Sequence, residues 1–194
     1  MRVDPREFDR LVLESIDPIV AQITSDQLNL PTPCTGWDLG ELMRHMIGQH
    51  RGFAAAARLE PADPQVWEEV TLGPDPYATY RESAQEVTQS FARPDLSDHS
   101  IEIHGYGVIP APITMQMHAV DYLAHGWDVA KTIGADPTLD AALCEHGLKI
   151  ALRWPENAFS KGDPFAAHVS VPDDAPVDQR LMAYLGRDPN WTAR

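Results

Sequence analysis

The sequence predicts an all-α protein, a helix bundle with additional short helices and a loop-rich C-terminal segment. Three observations carry that reading. Apolar residues recur at helical spacing in five separate stretches. Those stretches are bounded by capping residues, Pro or Gly. One short run alone alternates like a strand, Ile101-Glu102-Ile103-His104, and Gly105, Gly107, Pro110 and Pro112 surround it.

The first helix is expected over 4–26, where Phe8, Leu11, Val12, Ile16, Ile19, Val20 and Ile23 recur. Asp4-Pro5 is its start signal, and Pro18 is expected to kink or shorten it. Asn29, Pro31, Pro33 and Gly36 mark a loop. The second helix is expected from Trp37 to about Arg58, with Asp38 as cap and Glu41 in capping-box position. Leu39, Leu42, Met43, Met46, Ile47, His50 and Phe53 form its core stripe, and His45 lies on the flank of that stripe. Residues 60–76 read as a loop in which Trp67 folds back over the body of the protein. A third helix follows from Tyr77 to Ala92, ended by Pro94, and 95–112 reads as a structured loop. The fourth helix is expected from about Ile113 to Ile133, stopped by Gly134. A fifth covers about Asp140 to Trp154. Beyond Pro155 a short extended piece at Ala167–Val171 and a last helix from Pro176 to Leu185, ended by Gly186, are expected. No repeat, low-complexity tract or linker interrupts the chain, so 1–194 is read as a single domain.

The chain has 194 residues and a formal net charge of −14. That charge argues against nucleic acid, because phosphate neutralisation needs a basic face. It equally disfavours anionic membrane surfaces. No run approaches the roughly 20 apolar residues of a membrane span, and Met1-Arg2-Val3-Asp4-Pro5 lacks a signal core, so a cytoplasmic protein is expected. Cys34 and Cys144 suit that compartment. They form neither a CxxC pair nor a disulfide framework.

The chemistry concentrates in Met117-His118-Ala119-Val120-Asp121-Tyr122-Leu123-Ala124-His125-Gly126-Trp127-Asp128. Positions i, i+3, i+4 and i+7 share a helix face, so His118, Asp121 and His125 point the same way. Two lone-pair donors on adjacent turns suit a divalent metal, and a third ligand must come from another element. His118 is read as supporting the site from outside the ligand set, or as a substitute ligand. Asp128 is a candidate for holding a ligand histidine in orientation, and His50 for lining the site or serving the core. Arg153 and Arg187 are candidate anchors for a substrate carboxylate, or ion-paired residues. His99, His104, His146 and His168 receive no role. No phosphate loop is evident.

Pro33-Cys34-Thr35-Gly36-Trp37-Asp38-Leu39 followed by His45 resembles the second-helix motif of the DinB-like superfamily. The nearest branch is the mycothiol-dependent maleylpyruvate isomerase N-terminal domain with its small actinobacterial metal-binding relatives. Asp121-Tyr122-Leu123-Ala124-His125-Gly126-Trp127-Asp128 resembles the fourth-helix motif of that branch, and Leu185-Gly186-Arg187-Asp188-Pro189 a C-terminal signature of the small relatives. The resemblance implies a DinB-like four-helix bundle with one divalent metal held by His45, Asp121 and His125. In that branch the carboxylate is a Glu, one methylene longer than Asp121.

A His/Asp/His set suits zinc ahead of nickel or iron. Three protein ligands leave one position open, the pattern of a catalytic site. The expected activity is therefore a metal-dependent, mycothiol-type thiol transferase or isomerase, with a low-molecular-weight thiol as co-substrate and a small electrophile as its target. The alternative is a non-catalytic metal-binding or ligand-sensing bundle, its metal closed off by a fourth ligand such as His118 or His50. No nucleic acid or membrane partner is expected; a homodimer is compatible with exposed helix faces.

Overall fold

A computed structural model describes residues 3–60, 63–155 and 165–193. Helix α1 spans Pro5–Val20, with the Asp4 side chain accepting from the Arg6 amide. It is shorter than its apolar pattern. Pro18 donates no amide hydrogen bond, and the chain leaves the helix within a turn of it. Helix α2, Leu39–Ala57, opens on the expected capping box. Asp38 accepts from the Glu41 amide at 2.8 Å, and Glu41 reaches back to the Asp38 amide at 2.8 Å.

The region after α2 is more ordered than its Pro content suggests. Pro64–Glu68 forms a short helix, α3, capped by Asp63. Its Trp67 ring packs edge-on against Phe53 of α2 at 5.2 Å, the folding-back expected of it. Helix α4 covers Pro76–Phe91. The loop expected over 95–112 contains a two-stranded antiparallel hairpin. In it β1 (Ser100–Ile103) pairs with β2 (Gly107–Pro110), from Ser100 opposite Pro110 to Ile103 opposite Gly107. Alternation decides that outcome: Ile101 and Ile103 are buried while Ser100 and Glu102 face out.

Helix α5, Ala111–Ile133, ends at Gly134 in the left-handed conformation. It is buried on nearly every side, because α1, α2 and α6 all pack on it. Gly126 lets α1 approach closely: a Cβ there would lie 2.5 Å from Ile16 Cγ2. Helix α6 is Ala141–Ala151, and α7 is Val177–Tyr184. The stretch expected to be extended, 167–171, joins no sheet; Val169 instead donates to the Ala183 carbonyl at 2.8 Å.

The fold is all-α and DinB-like. Helices α1, α2, α4 and α5 surround a shared core in which α1 runs chiefly along α5 and α2 along α4. Ile16, Leu42, Met46, Val87 and Leu123 are fully buried there. Among the described residues no helix is long and apolar enough to cross a membrane. Helices α2 and α5 lie side by side, which brings the flank of one to the His/Asp face of the other.

Candidate metal centre

His45 on α2 and Asp121 and His125 on α5 meet at one place. Their ligand atoms all lie within 4.8 Å of one another. His125 Nε2 is 3.3 Å from Asp121 Oδ1, and His45 Nε2 is 3.7 Å from Asp121 Oδ2. The two imidazole rings meet edge to face at 5.0 Å. His45 Nε2 and His125 Nε2 are both buried, and neither has a hydrogen-bond partner. A buried unsatisfied nitrogen is costly, and two of them facing one carboxylate form a donor set that fits a divalent cation.

The site is fully buried on the His125 side and only partly exposed on the other. The His125 side chain is 1% exposed, whereas those of His45 and Asp121 are 18% and 16% exposed. Trp37, just before α2, covers part of the rim, its ring 4.8 Å from that of His45.

Behind His125 stands a second carboxylate. Asp128, one turn further along α5 and fully buried, accepts from His125 Nδ1 at 3.0 Å. That bond turns Nε2 toward Asp121 and His45. Asp128 Oδ2 also accepts from the Cys34 thiol at 3.1 Å and from Arg187 Nη2 at 3.0 Å. The ligand atoms of Cys34, His125 and Asp128 form a second group within 4.8 Å of one another. These are the two such groups among the described residues.

The electrostatics follow from this crowding. Burial disfavours the charged imidazolium of His125, but the Asp121 and Asp128 carboxylates outweigh it and hold its pKa well above the ordinary histidine value. Burial likewise works against the Asp121 carboxylate. The His125 and His45 rings overcome it and keep Asp121 ionised well below the usual carboxylate range. For His45, burial prevails over Asp121, and the ring stays neutral to lower pH than usual. Burial also opposes the charge on Asp128, and Arg187 and His125 reverse that, so Asp128 stays ionised as well.

His118 shares the helix face, as its spacing requires, but it does not join the cluster. Its Nδ1 is 2.6 Å from Asp9 Oδ1 on α1, with both residues buried. His50 stacks on Tyr122 at 4.3 Å and hydrogen-bonds Ser83 Oγ at 2.9 Å. These two histidines belong to a polar layer shared by α1, α2, α4 and α5. Arg153 is exposed, while Arg187 is buried against Asp128. His99, His104 and His146 sit against Asp95, Glu68 and Phe8, and His168 against the Tyr184 carbonyl. Residue spacing alone gives no hint of Cys34 or Arg187 at the site, because both arrive from distant segments. The signal for them lies in the motifs Pro33–Trp37 and Leu185–Pro189.

The model of the mycothiol maleylpyruvate isomerase N-terminal domain family matches residues 10–130, which include all three residues of the cluster. The chain belongs to this family. Two curated relatives come from Mycobacterium tuberculosis: uncharacterized protein MT0763 of strain CDC 1551 / Oshkosh and uncharacterized protein Rv0738 of strain ATCC 25618 / H37Rv. Each is 28% identical over 189 residues, covering 95% of this chain and 98% of the relative. No solved structure gives a significant match. In this mycothiol maleylpyruvate isomerase-like domain, the matched region supplies α2 and most of α5, and Arg187 comes from beyond it.

Proposed function

We propose that this protein binds one divalent metal, zinc ahead of nickel or iron, through His45, Asp121 and His125, and uses it in a thiol-dependent transfer or isomerisation on a small electrophile. The observation that carries the reading is the convergence of two partnerless, buried imidazole nitrogens on one carboxylate. When bound, the cation would supply Lewis acidity and favour the deprotonated form of a coordinated thiol.

The chain's own residues do the rest. Asp121 contributes the negative charge that a dication needs in a half-buried place. By holding Nδ1–H, Asp128 leaves Nε2 as the ring nitrogen that would give up its proton when the cation binds. The partial exposure of the His45 and Asp121 side chains places the site near the surface, and Trp37 supplies an apolar wall beside it. His118 and His50 stand outside the group of ligand atoms lying within 4.8 Å of one another, and their Nδ1 atoms bond Asp9 and Ser83. This supports a three-ligand site with an open position over one closed by a fourth histidine. Family membership supports the choice of a mycothiol-type thiol as co-substrate.

The test is elemental analysis of untagged protein, wild type beside His45→Ala and His125→Ala. Near-stoichiometric zinc, nickel or iron in wild type, lost in both variants, is the expected result. It would be followed by a screen of low-molecular-weight thiols against small electrophiles. A wild type that holds no metal even after reconstitution would overturn the reading.

A further inference from the structure

The chain after α7 turns back into the site. Gly186 makes the turn at φ +80°, pressed so closely on residue 166 that a Cβ would lie 2.4 Å from the Ala166 carbonyl oxygen. The next residue, Arg187, is anchored by its amide to the Met182 carbonyl at 2.9 Å and by Nη1 to the Leu185 carbonyl at 3.0 Å. Its guanidinium lies 5.5 Å from the Phe165 ring. Arg187 is 4% exposed, which places it inside the protein and not at a mouth that meets substrate. Its Nη2 stands 3.0 Å from Asp128 Oδ2 and 3.4 Å from Cys34 Sγ.

Asp128 is thus held from two directions, by a guanidinium and by a thiol, while it accepts from His125 Nδ1. Cys34, His125 and Asp128 have metal-like spacing themselves, and the guanidinium supplies the positive charge among them. A carboxylate behind a ligand histidine fixes the ring's tautomer and orientation. It can do so only if the carboxylate is itself fixed, and a planar guanidinium fork does that better than a point charge.

We propose that Arg187 is a positioning residue for the metal centre: by pinning Asp128 it holds the His125 ring so that Nε2 faces Asp121 and His45. This rests on reading those three residues as metal ligands. It makes the 165–193 segment, outside the family match, a working part of the site.

The experiment measures Co²⁺ affinity of the full chain by competition with a chromophoric chelator, together with the visible absorption of the bound Co²⁺. Arg187→Ala is expected to weaken binding by ~10–100-fold, as loss of an outer partner of a ligand histidine does, and to alter the Co²⁺ bands. Arg187→Lys, which keeps a charge beside Asp128 but not the fork, is expected to recover only part of the affinity. Asp128→Asn is expected to cost as much as Arg187→Ala. The pair Asp128→Asn with Arg187→Met removes both charges of the Asp128–Arg187 ion pair together, so it decides the matter even if Arg187→Ala fails to fold. It is expected to match Asp128→Asn alone in affinity and spectrum, because the arginine acts through the aspartate. Wild-type affinity and spectrum in folded Arg187→Ala, or a further loss in the double variant, would overturn this inference while leaving the ligand set intact. A wild type that binds no Co²⁺, or a His45→Ala variant that binds it as wild type does, would overturn the ligand set and this inference with it.

Discussion

His125 presents a different carboxylate to each of its ring nitrogens: Asp128 lies 3.0 Å from Nδ1, and Asp121 3.3 Å from Nε2. Held between two anions, the ring keeps its proton well above the ordinary histidine range. A metal needs the Nε2 lone pair, so uptake near pH 7 must expel that proton. The expected outcome is release of about one proton per metal bound, with affinity rising as pH increases toward the His125 pKa. Calorimetric titration with Zn²⁺ in two buffers of different ionisation heat measures it. Identical heats in both buffers would contradict the protonated ring.

The two thiols differ sharply in environment. Cys34 is half-buried at the site, whereas Cys144 is fully buried on α6 and its pKa is pushed up to about 12 by burial, with Asp178 and Asp140 adding to the effect. Native protein is expected to show one thiol to a disulfide reagent at pH 8, and two after denaturation. Cys34→Ser should remove the native signal. A second fast thiol in the native state would contradict the packing of α6. Because the folded pKa of Cys144 exceeds its unfolded value, its contribution to stability is complete below about pH 9 and is lost as pH rises toward 12.

How much of this was legible beforehand depends on the range over which each feature is encoded. Helices α2, α4, α5, α6 and α7 were readable to within two or three residues, because periodicity and caps are local. The meeting of Asp121 with His125 was readable for the same reason. The third member, His45, needed family resemblance, since no spacing rule links residues on separate helices. The hairpin was half-visible: Ile101 and Ile103 alternate, but Gly and Pro around them read equally as loop. His118 shows the limit of the face argument. The same spacing that placed it beside Asp121 also let it turn toward α1, where Asp9 offered a buried anion. Whether a partner exists across a helix interface is a tertiary fact.

The cap of α2 allows a test that separates stability from chemistry. Asp38 and Glu41 satisfy each other's amides at the start of the helix that carries His45. Asp38→Ala is expected to cost ~1 kcal/mol, a fall in melting temperature of roughly 2–4 °C for a chain of this size. Metal stoichiometry should be unchanged, because His45 sits nearly two turns further on. Thermal unfolding followed by circular dichroism, with metal content measured on the same preparation, would show whether the cap acts on the fold alone.

His50 provides a pH test of the buried polar layer. It is fully buried, and burial holds its pKa well below the ordinary value, with His118 adding repulsion and Asp121 opposing. Ser83 donates its hydroxyl to the Tyr80 carbonyl at 2.7 Å, so its oxygen accepts from His50 Nδ1–H and the neutral ring is the one that fits. The folded state therefore binds fewer protons here than the unfolded chain. The sign follows: this contribution is present above about pH 6.5, the unfolded histidine value, and is lost as pH falls below it. His50→Gln removes the titrating group while keeping an amide that can reach Ser83. Its stability in chemical denaturation should fall less steeply than that of wild type between pH 7 and pH 5, even if the variant is less stable at pH 7. Parallel slopes for the two proteins would mean that protonation of His50 is not linked to unfolding.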